Sequence, residues 1–101
     1  MIVEYVRYRV GADRRAALLA AYQVAGESLR ASRNCLGYDL AECDEAPGTF
    51  VLRIHWDSAA GHLEGFRKSA LFPPFLAAVR PFVGDIEEMR HYSPTSLRWS
   101  R

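Results

Sequence analysis

The chain has 101 residues, of which 50% are hydrophobic and 25% are charged. This composition is typical of one globular domain, and a chain of about 100 residues buries about two-thirds of its unfolded surface. The formal net charge of +1 gives no electrostatic reason to expect nucleic acid or an anionic membrane as a partner. No apolar run approaches the roughly 20 residues that span a bilayer, and the amino terminus lacks the features of a signal peptide. We therefore expect a cytoplasmic protein.

The first third of the chain predicts a strand followed by a long helix. Residues 2–10 are rich in β-branched and aromatic side chains, which favour a strand. Asp13 is a good N-cap for a helix over residues 14–32, where Ala and Leu are frequent and one apolar stripe recurs at helical spacing. A strand and a helix of this length are the first two elements of the domain.

Two alternating segments then predict a β-hairpin. Residues 36–43 and residues 50–56 each place apolar side chains at every second position, as half-buried strands do. Between them lies Pro47-Gly48, a pair in which Pro fixes φ and Gly accepts a positive φ. The two strands are therefore expected to be antiparallel neighbours.

The two cysteines, Cys35 and Cys43, lie eight residues apart along this part of the chain. At about 3.3 Å of rise per residue they are about 26 Å apart, which is too far for a disulfide. Neither belongs to a CxxC motif or a Cys/His cluster. We therefore predict two free thiols and no bound metal.

The remainder of the chain predicts two helical pieces and a last strand. Ser58 is a good N-cap for a helix over residues 59–70, which Pro73-Pro74 interrupts. A shorter helical piece is predicted for residues 74–80 and the last strand for residues 86–92.

The predicted order of elements is β, α, β, β, α, β. Right-handed crossovers make a four-stranded antiparallel sheet, with both helices on one face, the simplest arrangement of that order. We therefore predict an α+β, ferredoxin-like domain over residues 1–93, followed by a C-terminal tail over residues 94–101.

One face of this sheet is left uncovered by the helices. The alternation assigns to the helix side Val6, Tyr8, Leu36, Leu40, Leu52, Ile54 and Trp56. It assigns to the open side Val3, Tyr5, Arg7, Arg9, Asp39, Val51, Arg53, His55, Met89 and His91. This mixture of apolar, aromatic and charged residues favours a homodimer through the open face, with Arg7, Arg9 and Arg53 paired to Asp39, Glu42 or Glu87 of the second copy. The alternative is a solvated face.

The second half of the chain resembles the second half of the antibiotic biosynthesis monooxygenase domain. The resemblance rests on the segment WDSAAGHLEGFRKSALFPPFLAAVRPFVG and the strand IEEMRHY after it. Members of that family end a strand with Trp, place a His early in the next helix, continue with an aromatic-rich helical piece and close with a strand ending in His-Tyr. The residues at those places here are Trp56, His62, Phe66, Phe72, Phe75, His91 and Tyr92. With the first strand, the long helix and Leu36-Gly37-Tyr38 included, the resemblance covers nearly the whole chain.

The resemblance implies a dimeric α/β barrel in which each subunit holds a pocket between its helices and its sheet. Some family members oxygenate anthrones or quinols without flavin or metal. It therefore implies a monooxygenase that needs no cofactor, with molecular oxygen as its co-substrate. A deprotonated phenol is electron-rich enough to reduce O₂ itself, so the protein need only bind it in an apolar slot and supply a base or a hydrogen-bond acceptor.

Candidate residues for such a site follow from these requirements. His62 has an ordinary pKa of about 6.5 and shares a helical stripe with Phe66, so it is the predicted base or orienting residue. The predicted substrate-binding residues are Tyr8, Tyr22, Tyr38, Trp56, Phe66 and Phe72. The alternative is that His62 is structural and that the aromatic residues only fill the core.

Haem degradation, a reaction of related proteins, is disfavoured. Those relatives resemble this family in fold but rely on an Asn in the first strand, a Trp in the second helix and a His after it. The corresponding places here hold Val6-Arg7-Tyr8 and Phe66, and residues 71–75 contain no His.

Two functions other than oxygenation stay open at this point. One is a non-catalytic dimeric module that binds a small hydrophobic metabolite, and the other is an assembly unit whose pocket is filled by side chains. The sequence has no Gly-rich phosphate loop, Ser-His-Asp pattern or HExxH motif. Nucleotide hydrolysis, acyl transfer and zinc chemistry therefore have little support.

Overall fold

The computed structural model describes all 101 residues and has the predicted order of elements. Its four strands are β1 (Ile2–Arg9), β2 (Cys35–Glu42), β3 (Thr49–Trp56) and β4 (Ile86–Tyr92), and its two α-helices are α1 (Arg15–Ala31) and α2 (Phe72–Val79). Short 3₁₀ segments lie at Ala12–Arg14 and Arg80–Asp85, and a π-helix at Gly61–Phe66. The domain is therefore α+β and ferredoxin-like. None of its helices combines the length and apolar character needed to cross a bilayer.

The four strands form one antiparallel sheet in the order β2-β3-β1-β4. Strand β1 therefore lies inside the sheet, where Val6 is opposite Leu52 of β3 and Met89 of β4. Side chains that are directly opposite each other share a face, so β1 supplies residues to both faces of the sheet.

The core lies between one face of the sheet and the helices. Its buried members come from β1, α1, β3, the π-helix and the segments around α2. The apolar face of the strands therefore packs against the apolar stripe of the helices. The buried members are Val6, Tyr8, Val10, Leu18, Tyr22, Ala25, Leu29, Phe50, Leu52, Ile54, Trp56, Phe66, Val79 and Phe82.

The hairpin between β2 and β3 turns at Gly48, as the Pro47-Gly48 pair predicts. Gly48 has φ of 91°, a conformation that side chains with a Cβ rarely adopt. A Cβ atom there would also lie 2.5 Å from the carbonyl oxygen of Val10. The Gly48 carbonyl accepts a hydrogen bond of 2.8 Å from the Val10 N–H, so the turn is attached to the end of β1.

The beginning of α1 differs from the prediction. Asp13 is not its N-cap, because the chain makes a 3₁₀ turn over Ala12–Arg14 and the α-helix begins only at Arg15. No side chain caps the amide of that first turn.

The segment between β3 and α2 is less regular than the predicted helix over residues 59–70. The Ser58 cap is confirmed, because its Oγ accepts a hydrogen bond of 2.8 Å from the Gly61 N–H. The chain then widens into the π-helix, with the Arg67 N–H donating to the His62 carbonyl. Helix α2 begins at Phe72, so Pro73-Pro74 lies in its first turn, where missing N–H groups cost little.

Two β-bulges change the predicted faces of the sheet. In β2, Cys35 is opposite Trp56 and Gly37 is opposite His55, so Leu36 is an extra residue in the ladder. The prediction that Leu36 faces the core is therefore wrong, and its side chain is 59% exposed.

The second bulge lies in β4. Tyr8 is opposite Ile86 while Arg7 is opposite Glu88, which leaves Glu87 unpaired and shifts the alternation by one residue. Met89 and His91, predicted on the open face, lie opposite Val6 and Glu4 on the helix side. Both predictions are wrong because alternation alone does not reveal an inserted residue.

The open face of the sheet carries charged residues that are paired within the chain. Arg53 binds Asp39 through its Nη2 at 2.6 Å, and Arg9 lies 3.4 Å from Glu87. Glu42 is opposite Phe50 on the helix side of the sheet, where it binds Arg15 of α1. Asp39, Glu42 and Glu87 are the acidic groups that the sequence assigned to pairs with a second copy, and each has a partner within the chain. Cys35 and Cys43 are free, as predicted.

Candidate active site

An apolar cavity lies between the helix side of the sheet and the segment from the π-helix to α2. Its volume is about 210 Å³, and 14 of its 17 lining residues are hydrophobic. An apolar cavity of about 150 Å³ is enough to hold benzene. Val83 and Met89 line the cavity and are about half exposed, at 48% and 47%, so they form its rim. The space suits a small flat molecule that enters from this side.

Glu4 is a buried carboxylate that lines the cavity. Its Oε1 accepts a hydrogen bond of 3.1 Å from the indole Nε1–H of Trp56 and lies 3.4 Å from Nε2 of His62. Its other oxygen, Oε2, makes no hydrogen bond within the chain and is still accessible, since no fully enclosed side-chain oxygen lacks a partner. An unpaired carboxylate oxygen in an apolar cavity is a ready acceptor for a proton or a hydrogen bond.

His62 connects Glu4 to His91 at the outer edge of the sheet. Its Nδ1 lies 3.2 Å from Nε2 of His91, while its Nε2 faces Glu4. His62 is only 4% exposed, whereas His91 is exposed. Both nitrogens of His62 are therefore engaged, in a chain that leads from the cavity to the surface.

Burial lowers the pKa of His62 below its ordinary value. Glu4 acts in the opposite direction, and the nearby His91 and Arg67 lower the pKa further. His62 is therefore neutral at pH 7. The carboxylate beside Nε2 favours the tautomer with its proton on that nitrogen, which leaves Nδ1 to accept a hydrogen bond from His91.

The aromatic rings around His62 hold it in place. The imidazole stacks on Trp56, with ring centroids 4.7 Å apart and an interplanar angle of 7°. Trp56 in turn contacts Phe66, which meets Phe72 and Phe75 edge to face. The π-helix places both His62 and Phe66 on this surface, so the irregular turn positions the site.

Glu4, His62 and His91 each bring one potential metal ligand within 4.8 Å of the others. A single ion would need one nitrogen from each ring and one carboxylate oxygen directed at a common point. His62 instead turns one nitrogen toward Glu4 and the other toward His91. Because the two nitrogens of His62 face different partners, the three residues form a chain of polar contacts and do not converge on one metal position.

A second polar group in the cavity is formed by two tyrosines. The hydroxyls of Tyr8 and Tyr22 are 2.5 Å apart, and the side chains are almost fully buried. Burial raises the pKa of Tyr8 and also that of Tyr22, so both hydroxyls keep their protons.

The structure brings together six of the seven predicted site residues. The cavity is lined by His62, Tyr8, Tyr22, Trp56, Phe66 and Phe72. Tyr38 lies elsewhere, between β2 and α1, where its hydroxyl accepts a hydrogen bond of 2.5 Å from Nη1 of Arg30. It packs against Gly26, whose missing side chain leaves room for the phenol.

Sequence reasoning missed Glu4, Arg67 and Met89 as lining residues. Glu4 carried the clearest signal, because it occupies the same alternating face as Val6 and Tyr8. A charged residue is seldom buried unless it is paired, so a charge on the buried face of a strand is a candidate functional residue. Met89 was hidden by the β4 bulge.

The family comparison agrees with this fold. The model of the antibiotic biosynthesis monooxygenase family matches residues 1–80 of the chain. The chain belongs to this family. The match includes β1, α1, β2, β3 and all of α2, and it ends before β4. No protein of curated function matches the sequence significantly.

Solved structures of other proteins have the same fold as this antibiotic biosynthesis monooxygenase family member. A protein from Bordetella bronchiseptica, provisionally described as an antibiotic biosynthesis monooxygenase, is 25% identical with a TM-score of 0.74, covering 93% of this chain and 96% of its own. One from Mycobacterium tuberculosis is 23% identical with a TM-score of 0.75, covering 94% and 95%. One from Chloroflexus aurantiacus, described like the first, is 19% identical with a TM-score of 0.76, covering 97% and 96%.

Proposed function

We propose that this protein is a cofactor-free monooxygenase that oxidises a small quinol- or anthrone-like molecule with O₂. The observation that carries the proposal is a buried carboxylate with one free oxygen, Glu4, in an otherwise apolar cavity. Family membership supports monooxygenase chemistry, and the cavity supports an aromatic ligand.

Glu4 is the proposed base, and His62 orients it. The sequence favoured His62 as base or orienting residue, and both nitrogens of His62 already face polar partners. Glu4 has its Oε1 fixed by Trp56, which leaves Oε2 for a ligand hydroxyl. A base must lie within hydrogen-bond reach of the proton that it removes, and Glu4 is the lining residue that meets this requirement with an unoccupied atom.

The reaction balances without a cofactor. The phenol proton moves to Glu4, and the electron-rich phenolate transfers electrons to O₂, after which a ring carbon and an oxygen atom form a bond. The resulting peroxide anion takes the proton back from Glu4 and becomes a hydroperoxide. The same ring carbon then loses its hydrogen as a proton while the O–O bond breaks and hydroxide leaves, which gives water and a carbonyl on that carbon. One atom of O₂ enters the product and the other leaves as water, with the substrate as the only reductant. Apolar walls exclude bulk water from these intermediates.

The size of the cavity limits the ligand. A volume of about 210 Å³ is little more than the roughly 150 Å³ that holds benzene. Among the quinol- and anthrone-like candidates, a one- or two-ring hydroquinone is therefore the better fit.

We further propose that the protein works in the cytoplasm as a homodimer through the open sheet face. Tyr5 and Val51 are half-buried there, and Tyr5 meets Tyr92 edge to face at 4.9 Å. Because the arginines of this face have partners within the chain, a second copy would pack on aromatic and apolar surface with its charges already neutralised.

Oxygen uptake tests the proposed activity. The assay adds a panel of one- to three-ring hydroquinones and anthrones to the protein in an oxygen electrode, with flavin and metals removed. We expect uptake above the background rate for the small hydroquinones, and a loss of about 10²- to 10⁴-fold in Glu4→Gln, which keeps the side-chain shape but cannot accept the proton. His62→Ala should lose less, because it removes only the orienting contact.

Glu88→Gln is the matched control, since Glu88 lies on the open face of β4. It should keep the wild-type rate. If the panel binds but uptake stays at background for the wild type, Glu4→Gln and His62→Ala alike, the monooxygenase proposal is wrong and the binding-module alternative takes its place.

A further inference from the structure

The Tyr8–Tyr22 pair carries one more hydroxyl proton than it uses. Two hydroxyls hold two protons, and a single hydrogen bond between them consumes one. The hydroxyl that accepts in this bond still has its own proton, and no other acceptor for it lies within the chain. Both side chains are at most 5% exposed, so the space that they share is the cavity.

We propose that this pair is a neutral hydrogen-bond donor for an oxygen acceptor of the ligand, at the opposite end of the cavity from Glu4. The inference rests on the proposed function for the identity of the ligand and extends it by a second recognition point. The substrate class that results is an aromatic ring with a hydroxyl at one end and a carbonyl or second hydroxyl at the other.

Position along β1 places the two polar groups at opposite ends. Glu4 and Tyr8 are four residues apart on the same face of the strand, with Val6 between them. At about 3.3 Å per residue their backbones are about 13 Å apart. Both side chains line the same cavity of about 210 Å³, which is large enough for an aromatic ring.

The pair is well suited to donate. A hydroxyl that accepts one hydrogen bond donates its own proton more strongly, and the surrounding low dielectric increases the effect. The tyrosine rings are fixed edge to face, with centroids 5.9 Å apart, so the donor is already oriented before a ligand binds. Neither hydroxyl loses its proton near neutral pH, because burial raises the pKa of each tyrosine.

Two matched, oxidation-resistant probes test the donor by calorimetry. The first is 4-hydroxyacetophenone, which carries a hydroxyl and a carbonyl at opposite ends of the ring, and the second is 4-ethylphenol, which lacks the acceptor. We expect the wild type to bind the first about five- to tenfold more tightly, the difference that one neutral hydrogen bond makes.

The decisive variant is the double substitution Tyr8→Phe with Tyr22→Phe. A single substitution leaves one hydroxyl that is free to donate to the ligand, whereas the double variant leaves none. It removes both partners of the buried hydrogen bond, which is much less harmful to the fold than removing one. Affinity for the two probes should become equal, and Tyr38→Phe, outside the cavity, should keep the wild-type ratio.

The result separates the donor from the proposed activity, because binding is measured without turnover. An unchanged probe ratio in the double variant would overturn the donor, even if oxygen uptake is observed. Equal affinities in the double variant support the donor, even if no hydroquinone is oxidised. Circular dichroism of each variant confirms that the comparison is made on folded protein.

Discussion

The two faces of the sheet use their polar groups in opposite ways. On the open face, Arg53 and Asp39 pair with each other and Arg9 pairs with Glu87, so each charge has a partner. On the helix side, Glu4 keeps one oxygen without a partner, and the tyrosine pair keeps one proton. This difference in unused hydrogen-bonding capacity is the reason for proposing a binding site on the helix side and not on the open face.

The largest difference between the two faces is expected in stability, at two neighbouring residues of β3. Leu52 is 1% exposed on the helix side, while Val51 points to the open face and is half-buried. Leu52→Ala should lower the free energy of unfolding by about 2–5 kcal/mol, because it leaves a cavity in the core. Val51→Ala should cost about 1 kcal/mol or less in dilute protein. Urea denaturation measures both free energies of unfolding. Equal losses would mean that the two faces are equally buried.

Val51→Lys examines the proposed homodimer. A charge placed in the half-buried centre of the open face would be desolvated on association, which should weaken the dimer by about 2 kcal/mol. Sedimentation at micromolar concentration should show twice the chain mass of 11.4 kDa for the wild type and a shift to the single-chain mass for the variant. Leu63→Lys, at an exposed site of the π-helix, is the control. A wild type that sediments only as a single chain contradicts the dimer.

A smaller effect is expected from His62 when the pH is lowered. Its pKa is below 6.5 in the folded protein, mainly because it is buried, so the unfolded chain binds the proton more readily. The stability that neutral His62 contributes is therefore complete above about pH 6.5 and is lost as the pH falls from there toward the folded pKa. Glu4 opposes this loss, and His91 and Arg67 add to it.

The measurement is the free energy of unfolding from pH 7.5 to pH 5.5. His62→Gln should flatten the decline, and His55→Gln on the open face should follow the wild type. A decline of equal slope in the wild type and in His62→Gln would show that His62 does not cause it.

The smallest effect is expected at the β2 bulge. Leu36 is 59% exposed, so Leu36→Ser should change the free energy of unfolding by no more than about 0.5 kcal/mol. Leu40→Ser is the comparison, because Leu40 packs against the core and should cost more. A large loss at Leu36 would mean that the predicted alternation, and not the bulge, describes the strand.

The regular parts of the fold were predictable and the bulges were not. Strand alternation, the helical spacing of apolar residues and the Pro47-Gly48 turn were enough for the order of elements. The Ser58 cap predicted where the chain becomes helical after β3. A bulge adds a residue without changing the composition of the strand, so Leu36, Met89 and His91 were each predicted on the wrong face of the sheet. The π-helix was hidden for the same reason.

The aromatic part of the candidate site was predicted from the sequence, and its carboxylate was not. His62, Trp56 and Phe66 were identified from the resemblance to the family, and His62 and Phe66 also from their shared helical stripe. The structure places the three side by side. Tyr38 was misplaced because its depth depends on Gly26 of α1, a contact between distant residues. The missed Glu4 was visible in the alternation of β1, but its meaning depends on Trp56 and His62, which approach it only in the folded chain.

Strand β1 also restricts how this cavity can change in the course of evolution. Its side chains alternate between the cavity and the open face, so inserting one residue between Glu4 and Tyr8 would turn one of them out of the cavity. Two inserted residues would keep both inside and lengthen their separation by about 6.6 Å. The distance between the two polar ends can thus change only in steps of about 6.6 Å. Smaller adjustments to the length of a ligand would have to come from the apolar side chains between them.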